Sequence, residues 1–193
     1  MATTETSPDS SDEGPTRLPG DRPWPEDVAR MLRVDHAGEY GAARIYDGQL
    51  AVMGNRHPAA AHIRRMREQE IAHLERFDTL LNQRQVRPTL LAPLWHVAGF
   101  ALGAATALAG PRAAMACTAA VEEAIDEHYA AQEQRLDGRD AELHDVVSRF
   151  RADENEHRDL AVSHGAEEVP GYPLLAGAIK AGCRLAIGLS KRL

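Results

Sequence analysis

Apolar residues recur at three- and four-residue spacing along most of this chain, and no stretch sustains the two-residue alternation of a half-buried strand. After a Pro-rich turn at 21–27, with Asp27 placed as a cap, a first helix is predicted to run to about residue 55, interrupted only by single glycines. Pro58 restarts the chain. A second helix, 58–85, distributes Ile63, Met66, Ile71, Leu74 and Phe77 as its apolar positions before Pro88 ends it. Residues 90–109 form an uncharged Ala/Leu/Gly helix containing Pro93, Trp95, His96 and Phe100, closed by Gly110 and Pro111. A fourth helix, 111–136, stops at Asp137-Gly138, and a fifth covers 139–164, with Gly165 suited to cap its end. Gly171 and Pro173 then turn the chain into a last helix that reaches Ser190. The pattern predicts an all-α protein.

Composition adds boundaries to that pattern. The chain has 193 residues, enough for one domain with a substantial core. Residues 1–22 are rich in Ser, Thr, Pro, Gly and acids without an apolar run, so a disordered leader is expected there, neither signal peptide nor presequence, followed by one helical domain over 23–193. Cys117 and Cys183 lack the spacing of a zinc set or a disulfide framework and read as packed thiols. The formal charge of −7, with no basic stripe, excludes nucleic acid as the main partner.

The distribution of charge matters more than its sum. No acid occurs between Asp78 and Glu122 or after Glu168, whereas Lys180, Arg184, Lys191 and Arg192 stand on the apolar background of the last helix. Two additional apolar or amphipathic helices, 89–110 and 172–191, are therefore expected to face a membrane surface. The first is long enough to cross a bilayer but is Ala- and Gly-rich and holds His96, so it is expected to lie in the interface, with burial against the bundle or a partner subunit and a true span as the alternatives. The second is the better candidate for attachment.

The candidate chemistry is two Glu-x-x-His pairs, Glu70/His73 and Glu154/His157, each preceded by a lone glutamate in a helical stretch, Glu39 and Glu122. Residues three apart share a helix face, so each pair presents a carboxylate and an imidazole to one point. One glutamate from each of two helices and one Glu-x-x-His from each of the other two is the ligand set of a di-iron four-helix bundle. Glu39 precedes Glu70 by 31 positions and Glu122 precedes Glu154 by 32, so the halves repeat. Tyr46 and Tyr129 repeat with them, each seven positions, about two turns, after its glutamate. Four carboxylates and two imidazoles make an oxygen-rich site suited to iron or manganese, and they balance two divalent cations. Glu39, Glu70, His73, Glu122, Glu154 and His157 are the expected metal ligands. Which glutamates bridge is open at this point, and either lone glutamate is a candidate. Glu123 points about 100° away from Glu122, so only one of them can face the centre. Glu68, Glu75, Glu127 and Glu156 read as solvated, and His36, His62, His144 and His164 as surface or capping residues. His128 and Tyr129 are candidates for orienting ligands or relaying protons and electrons.

These residues carry a resemblance. The stretches RVDHAGEYGAARIYDGQ (33–49), EQEIAHL around Glu70 and His73, MACTAAVEEAIDEHY (115–129), DENEH (153–157) and AGCRLAIGLSKRL (181–193) are similar to those of the demethoxyubiquinone hydroxylases, membrane-associated members of the ferritin-like di-iron superfamily. The resemblance implies a ferritin-like four-helix bundle, the same six residues as ligands of two iron ions, and hydroxylation by O2 of the ring of a polyprenylated demethoxyubiquinol. It further implies NADH or the reduced quinone as the source of reducing equivalents, any NADH role being direct and without a nucleotide fold, since no strand leads into GxGxxG. His128 and Tyr129 would stand beside the centre on the path of reducing equivalents. Expected with it are a homo-oligomer, contact with other ubiquinone-biosynthesis proteins, and peripheral attachment to the cytoplasmic face of a bacterial inner membrane or to an organellar inner membrane. A ferritin-like iron storage or detoxification protein, and a membrane-bound di-iron quinol oxidase, are the competing activities for the same ligand set.

Overall fold

The computed structural model describes residues 24–54 and 57–193; the expected leader lies outside them. Six helices follow in order: α1 (Trp24–Met53), α2 (Ala60–Gln83), α3 (Ala92–Leu108), α4 (Pro111–Leu136), α5 (Ala141–Ser163) and α6 (Tyr172–Ser190), with a 3₁₀ turn at Ala166–Glu168 before α6. No strand occurs among the described residues.

Local chemistry explains the boundaries. Asp140 caps α5 by accepting from the Leu143 backbone N–H at 3.1 Å, while Pro111 and Pro173 occupy the first turns of α4 and α6, where a missing N–H costs nothing. Gly165 ends α5 at φ 81°, a left-handed geometry that favours glycine, and His164 Nδ1 lies 2.9 Å from the Leu160 carbonyl. Asp27 differs from expectation. The helix is already formed at Trp24, so Asp27 sits within the first turn and pairs with Arg135 at 2.8 Å instead of capping.

The repeat organises the tertiary structure. Antiparallel α1–α2 and α4–α5 hairpins form the bundle, α3 lies along α1, and α6 lies along α4. Each half is thus a long helix, a Glu-x-x-His helix and an apolar third helix. One core cluster joins Leu32, Phe77, Leu80, Leu136, Leu143 and Val147 from all four bundle helices; a second joins Tyr46, Ile63, Met66, Met115 and Ala161. Phe150 stacks on the His73 ring at 3.8 Å, tying α5 to α2.

The third helices bury small residues and expose large ones. Gly99 and Gly103 of α3 rest on the backbone of α1 around Gly41 and Ile45, and Gly48 of α1 meets Phe100 and Ala104, with no room for a Cβ at Gly48 or Gly103. Leu94, Val97 and Leu108 on α3, and Leu174 and Leu185 on α6, are exposed at 50–82%. The apolar helix expected over 89–110 is a shorter element of 17 residues, and its glycine face packs on the bundle, the alternative to an interfacial position. α6, with 19 residues, is long and apolar enough to cross a membrane by length and composition alone. Its cations are not all available. Lys180 pairs with Glu123 and Arg184 with Glu127, at 2.8 and 2.9 Å, which leaves Lys191 and Arg192 at the exposed end.

Candidate metal centre

Between the two core clusters six side chains converge: Glu39 from α1, Glu70 and His73 from α2, Glu122 from α4, and Glu154 and His157 from α5. None is more than 4% exposed. Their ligand atoms fall into two interlocked groups, Glu39/Glu70/His73/Glu154 and Glu70/Glu122/Glu154/His157, with all atoms of a group within 4.8 Å of one another. Glu70 and Glu154 belong to both groups, whereas Glu39 and Glu122 each belong to one. The sharing therefore falls on the glutamates of the two motifs and not on the lone ones.

Orientation follows from the i, i+3 spacing. Both imidazoles turn Nδ1 inward: His73 Nδ1 stands 3.3 Å from Glu39 Oε2 and 3.2 Å from Glu154 Oε1, and His157 Nδ1 stands 3.2 Å from Glu70 Oε1 and 3.1 Å from Glu154 Oε2. Both turn Nε2 outward, His73 to Asp153 Oδ2 at 3.0 Å and His157 to Gln69 Oε1 at 3.2 Å. The lone glutamates are held by tyrosines of the opposite half: Tyr46 donates to Glu122, and Tyr129 donates to Glu39.

Four carboxylates buried together oppose one another electrostatically. Burial, then the surrounding carboxylates with Glu154 foremost, push Glu70 and Glu122 well above the usual range. Burial would also keep Glu154 neutral, but His157 and His73 outweigh it and bring its pKa down to about 2. Burial favours neutral His73, yet Glu154 and Glu39 raise it to about 10. Tyr46 and Tyr129, pushed well up by burial and by Glu122 and Glu39, remain protonated donors.

Glu70 Oε1 and Oε2, Glu122 Oε2 and Glu154 Oε1 are buried and accept no hydrogen bond. Buried acceptors without hydrogen bonds are costly, and such a set aimed at one centre suits cations. The oxygen-rich set, with imidazole Nδ1 on either side, fits a pair of divalent ions of the iron or manganese class. The thiols do not compete: burial raises Cys117 to about 12 and Cys183 to about 11, and both pack in the apolar cluster of Ile45, Val121 and Ile179.

The remaining expectations sort cleanly. Glu123 turns away from the centre to Lys180; Glu68, Glu75, Glu127 and Glu156 are exposed. Tyr129 reaches the centre through Glu39, while His128 Nε2 faces Asp35 Oδ1 at 3.1 Å and contacts no ligand directly. His36 pairs with Asp78 at 3.0 Å. Sequence reasoning missed Asp35, Gln49, Gln69, Gln132 and Asp153. The signal for them was the repeat itself, since Gln69 and Asp153 each precede a motif glutamate and Gln49 and Gln132 each follow a lone glutamate by ten positions.

Comparison with known proteins agrees with this geometry. Residues 26–190 match the family model described as "Ubiquinone biosynthesis protein COQ7". The chain is 55% identical over 177 residues to the 3-demethoxyubiquinol 3-hydroxylase of Rhodospirillum rubrum, covering 92% of this chain and 84% of that protein. It is 51% identical over 170 residues to the human mitochondrial NADPH-dependent 3-demethoxyubiquinone 3-hydroxylase, covering 86% and 78%. With the mitochondrial 5-demethoxyubiquinone hydroxylase of Saccharomyces cerevisiae it shares 40% over 180 residues, 85% and 77% of the two chains.

Proposed function

The chain belongs to the family of the ubiquinone biosynthesis protein COQ7, and from that membership we propose a di-iron, O2-dependent monooxygenase that hydroxylates the ring of a polyprenylated demethoxyubiquinol. A hydroxylase role in ubiquinone biosynthesis rests on the relatives. The observation that carries the di-iron reading is the pair of interlocked ligand groups sharing Glu70 and Glu154. Glu70 and Glu154 would serve both positions, with Glu39 and His73 completing one and Glu122 and His157 the other.

Two iron ions held by these six residues would supply the electron transfer to O2 for a hydroxylation in which one oxygen atom enters the ring and the other leaves as water, with two electrons and two protons taken up. The protein's residues set the conditions. Tyr46 and Tyr129 fix one oxygen each of Glu122 and Glu39, so that the second oxygen of each faces the centre, Glu39 Oε2 beside His73 Nδ1. A small recess lined by Ala42, Ile45, Tyr46, Thr118, Val121 and Glu122 lies between α1 and α4 beside Glu122. Ile45 and Val121 continue into the packed cluster formed with Ala176 and Ile179 of α6, so apolar side chains lie between α6 and Glu122. That apolar setting, beside the exposed leucines of α3 and α6, suits a greasy quinol coming from a lipid surface. Peripheral membrane attachment through α3 and α6, with Lys191 and Arg192 toward anionic headgroups, follows from the same faces. A reduced nicotinamide dinucleotide is the electron source of this reading, NADH in the first expectation and NADPH in the human relative's name. It acts without a nucleotide-binding sheet.

The test is mass spectrometry of a demethoxyubiquinol analogue incubated with iron-loaded, detergent-solubilised protein, reductant and isotopically labelled O2. Label on the ring is the expected result. Oxygen consumption with unmodified quinol would replace the reading with a quinol oxidase, and a mineralised soluble shell would replace it with iron storage.

A further inference from the structure

The internal repeat relates the two halves by 83 positions between α1 and α4 and by 84 between α2 and α5, so every residue near the centre has a counterpart. The six ligands are identical across the repeat, Glu39 with Glu122, Glu70 with Glu154, His73 with His157. The tyrosines and glutamines are identical too. The departures lie one step further out. Asp153 corresponds to Gln69, and Asp35 corresponds to Thr118.

Both departures fall on the same side. Asp153 receives His73 Nε2 at 3.0 Å, whereas Gln69 receives His157 Nε2 through an amide oxygen at 3.2 Å. Asp35, 2% exposed, accepts from Gln132 Nε2 at 2.7 Å and faces His128 beside Tyr129, the tyrosine that holds Glu39. Its counterpart Thr118 meets Gln49 Nε2 at 3.3 Å, and the counterpart of His128 is Ile45. The half that serves Glu39 and His73 therefore carries two outer carboxylates, and the half that serves Glu122 and His157 carries none.

An imidazole that donates its outer N–H to a carboxylate is a stronger ligand through its inner nitrogen than one that donates to an amide, because the charge-assisted bond leaves more electron density on the ring. A buried carboxylate nearby adds attraction for a cation in a medium of low dielectric. Resting on the di-metal reading above, we propose that the two metal positions are unequal: the Glu39/His73 position binds its ion at least tenfold more tightly than the Glu122/His157 position, with Asp153 as the positioning residue that acts through His73. The weaker position is the one beside the apolar recess. Loading is ordered, the recess-side ion entering last and leaving first.

The experiment is an anaerobic calorimetric titration of metal-free protein with ferrous ion, with helix content followed by circular dichroism. Two events of one ion each are expected, separated at least tenfold in affinity, and His157→Ala removes the weaker. Asp153→Asn should weaken the tighter event about tenfold and leave the other in place, the size typical of losing a ligand's outer hydrogen-bond partner. Gln69→Glu should strengthen the weaker event and narrow the gap, and it carries the test alone if Asp153→Asn fails to fold. Two ions entering in a single event would overturn the proposal while leaving the di-iron reading intact. So would an Asp153→Asn variant that weakens both events alike, or a Gln69→Glu variant that leaves the gap unchanged. Absence of binding would end both.

Discussion

Tyr46 Oη donates a 2.5 Å hydrogen bond to Oε1 of Glu122, a residue 76 positions away in the other half of the repeat. Tyr129 returns the exchange to Glu39. Each tyrosine follows a glutamate in sequence but serves the opposite one in space, so the two long helices lock each other's ligands into place. Removing either hydroxyl leaves a buried carboxylate oxygen without its donor, at a cost of about 1–3 kcal/mol. Tyr46→Phe and Tyr129→Phe are expected to keep the helical fold and to weaken metal binding by about 10–100-fold. Unchanged metal affinity in both variants, read by titration, would refute the positioning role.

Metal removal should make stability fall with rising pH. Glu70 and Glu122, with pKa raised in the fold, are neutral there and ionise in the unfolded chain, so their contribution is present at low pH and is lost as pH rises. His73, raised from 6.5 to about 10, acts in the same direction: its stabilisation is full below 6.5 and is lost on the way to 10. Glu154, lowered to about 2, contributes above 4.5 and loses its contribution only as pH falls toward 2. The melting temperature of chelator-treated protein is expected to decline steadily between pH 6.5 and 10, while the metal-loaded protein, whose carboxylates meet cations, declines less. Calorimetry of the two forms in parallel checks this, and parallel slopes would contradict it.

Two glycines predict opposite signs. Gly38 is exposed in the middle of α1 with nothing near where a Cβ would point, so Gly38→Ala should stabilise by about 0.5–1 kcal/mol. A Cβ on Gly103 would overlap the Ile45 carbonyl, and Gly103→Ala should cost about 1–3 kcal/mol and loosen α3 from α1. Equal denaturation midpoints for the two variants would mean that α3 does not sit on α1 at this distance.

Asp140 joins a cap to an ion pair, accepting from Leu143 N–H and from both terminal nitrogens of Arg84, and these hold its carboxyl below the usual range, Arg84 first. Asp140→Ala is expected to cost about 1–2 kcal/mol at neutral pH. Because the folded pKa is lowered, the difference from the parent should be present above pH 3.8 and shrink as pH falls below it. Urea unfolding at pH 7 and pH 3 separates the two.

Membrane attachment through the third helices predicts that Leu174→Ser with Leu185→Ser, both on exposed positions of α6, lowers partitioning onto anionic vesicles, each leucine removing up to about 1.5–3 kcal/mol of burial. Neutralising Lys180 and Arg184, already paired with Glu123 and Glu127, should matter less than neutralising Lys191 and Arg192. Vesicle sedimentation distinguishes the two pairs.

The sequence by itself determined the helices, their order and the six residues of the centre. Helix periodicity and Pro/Gly punctuation are local, so the expected bounds fall within a few residues of the observed ones, and a repeated Glu and Glu-x-x-His pattern carries its own face geometry. What tertiary structure decided is everything that depends on which helix a side chain meets. That Glu70 and Glu154 are the shared carboxylates, that Tyr46 serves Glu122, that Asp153 and Gln69 back the opposite histidines, and that Lys180 and Arg184 of α6 are spent on α4 are contacts between residues 57 to 88 positions apart. Spacing along one helix fixes a direction, but the partner at the end of that direction belongs to another helix. Only the packing of the two halves against each other, with glycines letting α3 settle onto α1, sets who that partner is.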